Sequence, residues 1–323
     1  MSIQADDYDS PWKDILERYL ADFLAFFFPH AHTAIDWSLG YTFLDKELQA
    51  VMRDAELGRR LADKLVQVWR RDGQESWVLI HIEVQSQDDA EFAERMFVYH
   101  YRLFDRYRRQ VVSLAVLSDE RDQWRPESFG YNLWGCELHF RFPIVKLLDY
   151  RMTWAALEAS HNPFATVVMA HLTAQETRRD ANARAQAKFA LIRRLYELGY
   201  SRVAVIDLFH FIDWVMRLPK NLDAAVWREI QQLEEEKNVT YITSVEQLGR
   251  EEGLKVGRAE GLIDGITLAL EIRFGDAAAT LIAEIRQITD LAVLEQLLTS
   301  VRSATTPDDV RRVYAPTTTN AHG

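Results

Sequence analysis

The hydrophobic period of the chain changes at residues 63–85, and this change constrains the fold more than any other feature. Residues 63–69 (DKLVQVW) alternate between two faces, which is the period of a β-strand. Asp72-Gly73 is a hairpin turn signal. Residues 77–85 (WVLIHIEVQ) are nearly all apolar, as is typical of a buried strand. The segment therefore predicts a β-hairpin.

Segments with a helical period lie on both sides of this hairpin. Helices are predicted at residues 10–28, 45–62 and 88–109. Further strands are predicted at residues 110–117 and 137–147, the second bent at Pro143. The order helix, hairpin, helix, strand predicts an α/β core with a mixed β-sheet flanked by helices.

Strand signals stop after residue 150, so we expect the core to be followed by an all-helical C-terminal part. The predicted divisions are a core at 8–150, a helical extension at 151–238, a helical connector at 239–265, a small helical module at 266–312 and a disordered tail at 313–323. Within the extension, residues 181–198 and 202–217 have clear helical patterns. The module is expected to break at Phe274-Gly275-Asp276.

The connector carries a regular glycine pattern. Glycines occupy every fourth position, at residues 249, 253, 257, 261 and 265. Each costs about 1 kcal/mol relative to alanine inside a helix, so the pattern needs an explanation. Two interpretations stay open. One is a smooth strip through which the chain forms homo-oligomers by close backbone approach, and the other is a mobile helical linker.

Cysteine content and hydropathy limit the cellular setting. A single cysteine, Cys136, excludes an intramolecular disulfide framework and a CxxC zinc site, which fits a reducing cytoplasm. The N-terminus lacks the basic region of a signal peptide. The apolar segment 19–29 is shorter than the ~20 residues that a membrane helix needs. We therefore expect a cytoplasmic protein with no membrane partner.

Charge gives two opposing signals about a nucleic-acid partner. The formal net charge of −11 counts against one, because nucleic-acid binders usually carry a basic surface. The segment Arg95–Arg109, however, holds five arginines and one aspartate. Such a local basic face can attract phosphates on an acidic protein.

Two carboxylates of the predicted hairpin are candidates for chemistry. Asp63 opens the first strand, and Glu83 lies near the end of the second, where His81, Glu83 and Gln85 share one face. A carboxylate inside an apolar strand costs several kcal/mol unless it is paired or binds a metal. Carboxylates on neighbouring strands can share a divalent cation, which prefers oxygen ligands and activates bound water. Gln85 is placed to orient that water.

Structural interpretations of the same residues stay open. Asp63 can serve as a strand-end residue or as the partner of a cation, and Glu83 can pair with Arg95 or His81. Arg95, Tyr99 and Arg102 lie at i, i+4 and i+7 on one helix face. They are candidate phosphate-binding residues, although a solvated or core-edge face explains their spacing equally well.

The segments LADKLVQVW, IHIEVQ and RMFVYHYRL together resemble the Rpn family of recombination-promoting nucleases, also called YhgA-like transposases, of the PD-(D/E)XK superfamily. The opening WKDILERYLADFLAFFFP and the strand QVVSLAVLSDE are similar to the same family. The resemblance covers residues 8–150, and the glycine-spaced helix with EIRFGDA resembles a domain of unknown function that often ends such proteins. It implies a restriction-endonuclease-like core and metal-dependent DNA cleavage.

By this resemblance, Asp63 and Glu83 are catalytic residues and ligands of Mg²⁺ or Mn²⁺. Gln85 occupies the position that usually holds a lysine, so it supplies no positive charge there. Ala62 stands in place of the proline of the motif. Glu17, on the first helix, is a candidate extra acidic ligand.

Two functions follow as hypotheses. The first is a Mg²⁺-dependent DNA endonuclease of the recombination-promoting, transposase-like type. The alternative is a catalytically weak or inactive protein of the same fold that serves as a DNA- or protein-binding assembly module. The net charge of −11 and Gln85 favour the alternative, whereas the two carboxylates favour the nuclease.

Overall fold

The structure is a computed structural model that describes residues 11–54, 63–73, 75–83, 90–302 and 304–314. Of residues 52–54, 63, 75, 79–83 and 245–257 it describes the backbone alone. The chain divides into two compact units, Met1–Ile242 and Thr243–Gly323. All strands of the described residues lie in the first unit.

The centre of the first unit is a five-stranded mixed sheet. Its strands are β1 (Tyr41–Phe43), β2 (Asp63–Trp69), β3 (Glu75–Glu83), β4 (Val111–Leu117) and β7 (Ile144–Lys146). Their order is β1-β2-β3-β4-β7. The first three run antiparallel, while β4 is parallel to β3 and β7 is parallel to β4. β5 (Ser128–Leu133) and β6 (Cys136–Arg141) form a separate hairpin.

Helices surround this sheet. They are α1 (Pro11–Arg18), α2 (Leu20–Phe27), α3 (Pro29–Ala34), α4 (Asp45–Asp54), α5 (Phe92–Tyr107), α6 (Trp154–Ala159), α7 (Pro163–Glu176), α8 (Ala181–Glu197), α9 (Arg202–Val215) and α10 (Lys220–Lys237). Side chains of Asn162, Asp180 and Ser201 cap the N-termini of α7, α8 and α9. Across the described part of the chain, no helix combines the length and the apolar character needed to cross a membrane.

The alternation along the strands sends apolar side chains to both faces of the sheet. On one face, Val66 and Val116 join a core with residues of α1, α2, α7 and α9. On the other face, Leu65 packs with Tyr99 and Leu103 of α5. Both faces are therefore covered by helices, as the sequence predicted for a mixed α/β core.

The helices after residue 150 share the core of the sheet. α7 is buried on nearly all sides, and Phe164 and Val168 lie in the same cluster as Val66 and Val116. The predicted helical extension at 151–238 thus belongs to one compact unit with the sheet. The patterns at 181–198 and 202–217 correspond to α8 and α9.

The predicted strand at 137–147 is wrong as a single strand. The chain is split at Phe142-Pro143: β6 pairs with β5, whereas β7 joins the main sheet beside β4. Proline has no N–H for a sheet ladder, although the Pro143 carbonyl still accepts from the Ala115 N–H at 3.0 Å. β1 and β5 were not expected from the sequence.

The helix predicted at 10–28 is divided at Tyr19, which lies outside helical geometry at φ −126° and ψ 39°. Residue 10 lies outside the described residues. The helix predicted at 45–62 is described as α4 up to Asp54, and residues 55–62 lie outside the description.

The second unit contains α11 (Ile242–Phe274, whose first residue belongs to the first unit), α12 (Ala279–Ile285), α13 (Leu291–Val301) and α14 (Pro307–Arg311). Ile266, Leu270, Leu281 and Leu297 form its core. α11 continues through residue 265, where the sequence analysis divided connector from module. It ends at the predicted break, where Gly275 has φ 53°. Tyr314, assigned to the tail, packs against this core.

Candidate functional site

The sheet register brings the two predicted catalytic positions to one edge. β2 pairs with β3 so that Asp63 lies opposite His81, two residues before Glu83. β3 pairs with β4 so that Glu83 lies opposite Leu117. Because β1, β3, β4 and β7 end at this edge and β2 begins there, we call it the site edge.

The predicted catalytic positions are known at the level of their backbones. At Asp63, His81 and Glu83 the structure gives the strand positions, and Gln85 lies outside the described residues. The register therefore supports the proximity of Asp63 and Glu83 along neighbouring strands. The role of Gln85 stays a prediction.

Lys64, the neighbour of Asp63, is buried at the site edge between two carboxylates. Its Nζ lies 2.9 Å from Glu17 Oε2 and 2.8 Å from Asp45 Oδ2. Burial alone favours the neutral amine, but hydrogen bonds to Asp45 and Glu17 outweigh it, so the pKa of Lys64 is raised. Lys64 is therefore a fixed positive charge and not a proton acceptor.

Glu17 reaches this position because of the packing of α1. Trp12, Ile15 and Leu16 are buried in the core, which leaves Glu17 on the exposed side of the helix. The structure thus places Glu17 beside β2, and its role as an extra acidic ligand stays a prediction. Its described contact is the ion pair with Lys64, which neutralises part of its charge.

Asp45 was not singled out by the sequence analysis. It follows β1 and begins α4, and its Oδ2 accepts the Lys64 hydrogen bond. Its Oδ1 is buried and has no hydrogen-bond partner in the described part of the chain. A buried carboxylate oxygen without a donor suits a cation, so the chemistry at this edge fits a hard divalent metal.

An ion pair buried on both sides lies at the other end of the site edge. Lys146, the last residue of β7, places its Nζ 2.6 Å from Asp119 Oδ2, and both side chains are at most 1% exposed. Lys146 also donates to the Trp124 carbonyl at 3.1 Å. Asp119 accepts from the Arg121 N–H at 2.8 Å. This pair fixes the loop that leaves β4.

α7 contributes a histidine to the same loop. His171 Nε2 lies 2.9 Å from the Ser118 carbonyl, and Gln175 donates to that oxygen at 2.8 Å. Burial lowers the pKa of His171, so the ring is neutral. It lines a cavity of about 350 Å³ together with Gln175, Glu120 and Arg178.

The three candidate phosphate-binding residues of α5 do not share the same exposure. Arg95 is 6% exposed and Tyr99 is 1% exposed, because this stripe of the helix packs against the sheet. Arg102, one turn further on, is half-buried. Phosphate binding by Arg102 therefore stays a prediction, while Tyr99 is a core residue.

Among the side chains that the structure describes, no group of three or more His, Cys, Asp or Glu residues is arranged to hold a metal ion. The side chains of Asp63 and Glu83 are not among those described. The described carboxylates of the site edge, Glu17 and Asp45, both accept hydrogen bonds from Lys64, the neighbour of Asp63.

Sequence reasoning missed Asp45, Lys64, Asp119, Lys146 and His171. Two of them carry a usable signal. Lys64 interrupts a strand face that Val66 and Val68 make apolar, and Asp119 follows a buried strand directly. Lys146 and His171 lie in apolar segments whose partners come from distant parts of the chain.

No family model, curated protein or solved structure matches the chain. The register of the sheet and the side chains at the site edge are therefore the features that bear on function.

Proposed function

We propose that the chain is a metal-dependent nuclease that hydrolyses phosphodiester bonds in DNA. Asp63 and Glu83 would hold Mg²⁺ or Mn²⁺. The observation that carries the proposal is the register of β2 and β3, in which Asp63 lies opposite His81 and two residues from the level of Glu83.

The topology around this pair supports a restriction-endonuclease-like core. An antiparallel meander of β1, β2 and β3 is followed by the crossover helix α5 and the parallel strand β4. This is the order of hairpin, helix and strand that the hydrophobic pattern of the sequence predicted. The finer fold remains part of the proposal.

The chain's own residues define what the site can do. Asp63 and Glu83 supply oxygen ligands from neighbouring strands, and Gln85 would orient the attacking water. A bound divalent cation would neutralise a phosphate oxygen and lower the pKa of a bound water. Lys64 keeps Glu17 and Asp45 beside the site through its two hydrogen bonds.

Plasmid cleavage tests the proposal. The purified chain is incubated with supercoiled plasmid in Mg²⁺, Mn²⁺ or EDTA, together with the Asp63→Asn and Glu83→Gln variants. The matched control is Asp72→Asn, which makes the same chemical change at the turn of the same hairpin, away from the site edge. We expect metal-dependent nicking by wild type and by the control, and a loss of at least a hundredfold in both site variants.

Two results would contradict this assignment. Equal nicking by wild type and by Asp63→Asn would mean that the activity comes from another site or another protein. Equal loss in Asp72→Asn and Asp63→Asn would mean that the hairpin, and not a ligand, had been disturbed.

One observation favours the alternative of an inactive binding module. Lys64 neutralises Glu17, the third candidate carboxylate, and Gln85 replaces the usual lysine. A binding module without metal should show no rise in melting temperature with Mg²⁺ or Mn²⁺. A nuclease site should show a rise that Glu83→Gln removes, because ligand binding stabilises only the folded state.

A further inference from the structure

The β5–β6 hairpin has one apolar face that is only partly covered. Phe129 lies opposite Phe140, and Tyr131 lies opposite Leu138, so these side chains share a face. At the base of the hairpin, this face packs on α5, where Phe97 and Phe129 stack at 5.3 Å. Further out, Tyr131 is 55% exposed. The apolar face of the hairpin therefore extends beyond the part that packs on α5.

Aromatic rings connect α5 with this exposed part. Phe97 stacks on Tyr101 at 6.2 Å with an interplanar angle of 20°. Phe129 meets Tyr131 edge to face at 6.4 Å. Tyr101 is 52% exposed, so the rings form a surface and not a closed core. We call Tyr101, Phe129, Tyr131 and Trp134 the aromatic surface.

Trp134 at the hairpin tip is 97% exposed. Its φ is 51° and that of Gly135 is 82°, so both central turn residues have positive φ, as in a type I′ turn. This turn favours Asn-Gly, and a bulky residue with positive φ is sterically disfavoured. Trp134 therefore serves neither the packing nor the turn, which points to contact with something outside the chain.

Positive charge lies on the same helix as Tyr101 and directly after it. The end of α5 and the residues just after it carry Arg102, Arg106, Arg108 and Arg109, and the one acid among them is Asp105. Arg108 is paired with Asp105 at 2.9 Å but remains 71% exposed. The other three arginines are half-buried or exposed.

α5 and the hairpin extend from a common base. The ring centroid of Phe92, the first residue of α5, lies 6.1 Å from that of Phe142, which follows β6. Phe97, further along the helix, contacts Phe129 and Phe140 within the hairpin. The arginine-bearing end of α5 and the tip at Trp134 both lie beyond these contacts along their own elements.

Charge decides between possible occupants. In a twofold dimer through this surface, the same arginines of two copies would meet, which disfavours close approach. A polyanion that also presents flat apolar rings matches both the arginines and the aromatic surface. Nucleic acid with unpaired bases has this chemistry, because every base can stack and every phosphate is anionic.

We propose that the aromatic surface binds single-stranded nucleic acid. Bases stack on Tyr131 and Trp134, and the arginines at the end of α5 contact the phosphates. In the context of the proposed nuclease, on which this consequence rests, the surface directs the site edge to DNA with unpaired bases.

Binding is measured by fluorescence anisotropy with the full chain, in EDTA so that cleavage cannot occur. The probes are a labelled single-stranded mixed-sequence DNA and the matching duplex. The informative variant is Trp134→Asn, because it creates the favoured Asn-Gly turn while it removes the indole ring. The matched control is Met152→Asn, at a side chain that is 90% exposed elsewhere in the first unit.

We expect Trp134→Asn to weaken single-strand binding about tenfold, the effect of losing one stacked base. Its melting temperature should equal or exceed that of wild type. Met152→Asn should bind as wild type does, and the duplex should bind more weakly than the single strand.

Three results would overturn the proposal: unchanged single-strand affinity in Trp134→Asn, tighter binding of duplex than of single strand, or an equal loss in Met152→Asn. A dimer in sedimentation that Trp134→Asn converts to monomer, with DNA affinity unchanged, would assign the surface to a second copy.

The outcome is separable from that of the nuclease proposal. Asp63→Asn should lose cleavage and keep single-strand binding. If no variant cleaves but binding still depends on Trp134, the nuclease fails and the surface stands. If cleavage depends on Asp63 but binding does not depend on Trp134, only the surface proposal fails.

Discussion

The buried ion pair between Asp119 and Lys146 gives the sharpest stability prediction. Both side chains are at most 1% exposed, and their charged atoms are 2.6 Å apart. Lys146→Met keeps the length of the side chain and removes its charge. Asp119 would then be a buried carboxylate whose described remaining hydrogen bond comes from the Arg121 N–H.

The size of the effect follows from this burial. Removing one partner of a buried ion pair costs about 3–5 kcal/mol, because the remaining charge has lost its compensation. With an m-value of about 2.5 kcal/mol/M, the urea midpoint falls by roughly 1–2 M. The double variant Asp119→Leu with Lys146→Met removes both charges and should cost less than about 2 kcal/mol.

Urea unfolding followed by tryptophan fluorescence measures the stability of the unit that contains this ion pair. All nine tryptophans lie between residues 1 and 242, so the signal reports the first unit alone. The control is Arg108→Ala, which breaks a pair whose side chains are 71% and 52% exposed and should cost less than about 1 kcal/mol.

A loss below about 1 kcal/mol in Lys146→Met would refute the reasoning, because the pair would then be hydrated. A double variant as unstable as the sum of the two single variants would refute it as well. In that case the two side chains would contribute independently and not as a pair.

Three further predictions concern other parts of the chain. Lys64→Met should lower stability by about 1–3 kcal/mol in urea unfolding, and Mg²⁺ should raise its melting temperature more than that of wild type, because Glu17 and Asp45 lose their cation. Burial lowers the pKa of His171 in the folded chain, so as the pH falls the unfolded chain takes up this proton at a higher pH than the folded chain does. The free energy of unfolding should therefore decrease as the pH drops below about 6.5. His171→Gln should reduce this decrease in thermal melts from pH 8 to 5. A Cβ added at Gly261 meets no atom within 4 Å, so Gly261→Ala should stabilise α11 by about 0.5–1 kcal/mol in circular dichroism melts. Weaker self-association of this variant in sedimentation would support the homo-oligomer that the glycine pattern suggests.

The hairpin and its crossover helix could be predicted because their signals are local. Alternation over a few residues and the turn at Asp72-Gly73 are properties of neighbouring positions, and Gly73 has the positive φ of 82° that the turn requires. The same local reasoning misplaced β6 and β7. An apolar run that contains Pro143 does not show that its two halves pair with different strands.

The helices that pack on the sheet could not be predicted from the strand patterns. The sequence analysis ended the core at residue 150, because no strand pattern follows. Yet Val66 and Val116 need a partner surface, and α7 supplies it through Phe164 and Val168. Apolar side chains on a strand show that a face is buried, but they do not show which part of the chain buries it.

The site edge shows the same limit for polar residues. Asp63 and Glu83 could be placed on neighbouring strands because hairpin pairing is local. The partners of Lys64 come from α1 and from the start of α4, 47 and 19 residues away in the chain. A buried lysine in an apolar strand face indicates that carboxylates are near, but their identity depends on the tertiary structure.

The net charge of the whole chain and the local charges of the contact surface affect nucleic-acid binding in different ways. The value of −11 describes the field that a distant polyanion meets, and it slows the approach of one. In a solution of about 0.1 M salt that field is screened beyond roughly 10 Å. Within this distance, an approaching strand meets the local surface, which at the end of α5 includes Arg106, Arg108, Arg109 and Asp105. The whole-chain charge therefore limits the rate of association, while the residues at the contact determine whether the complex persists.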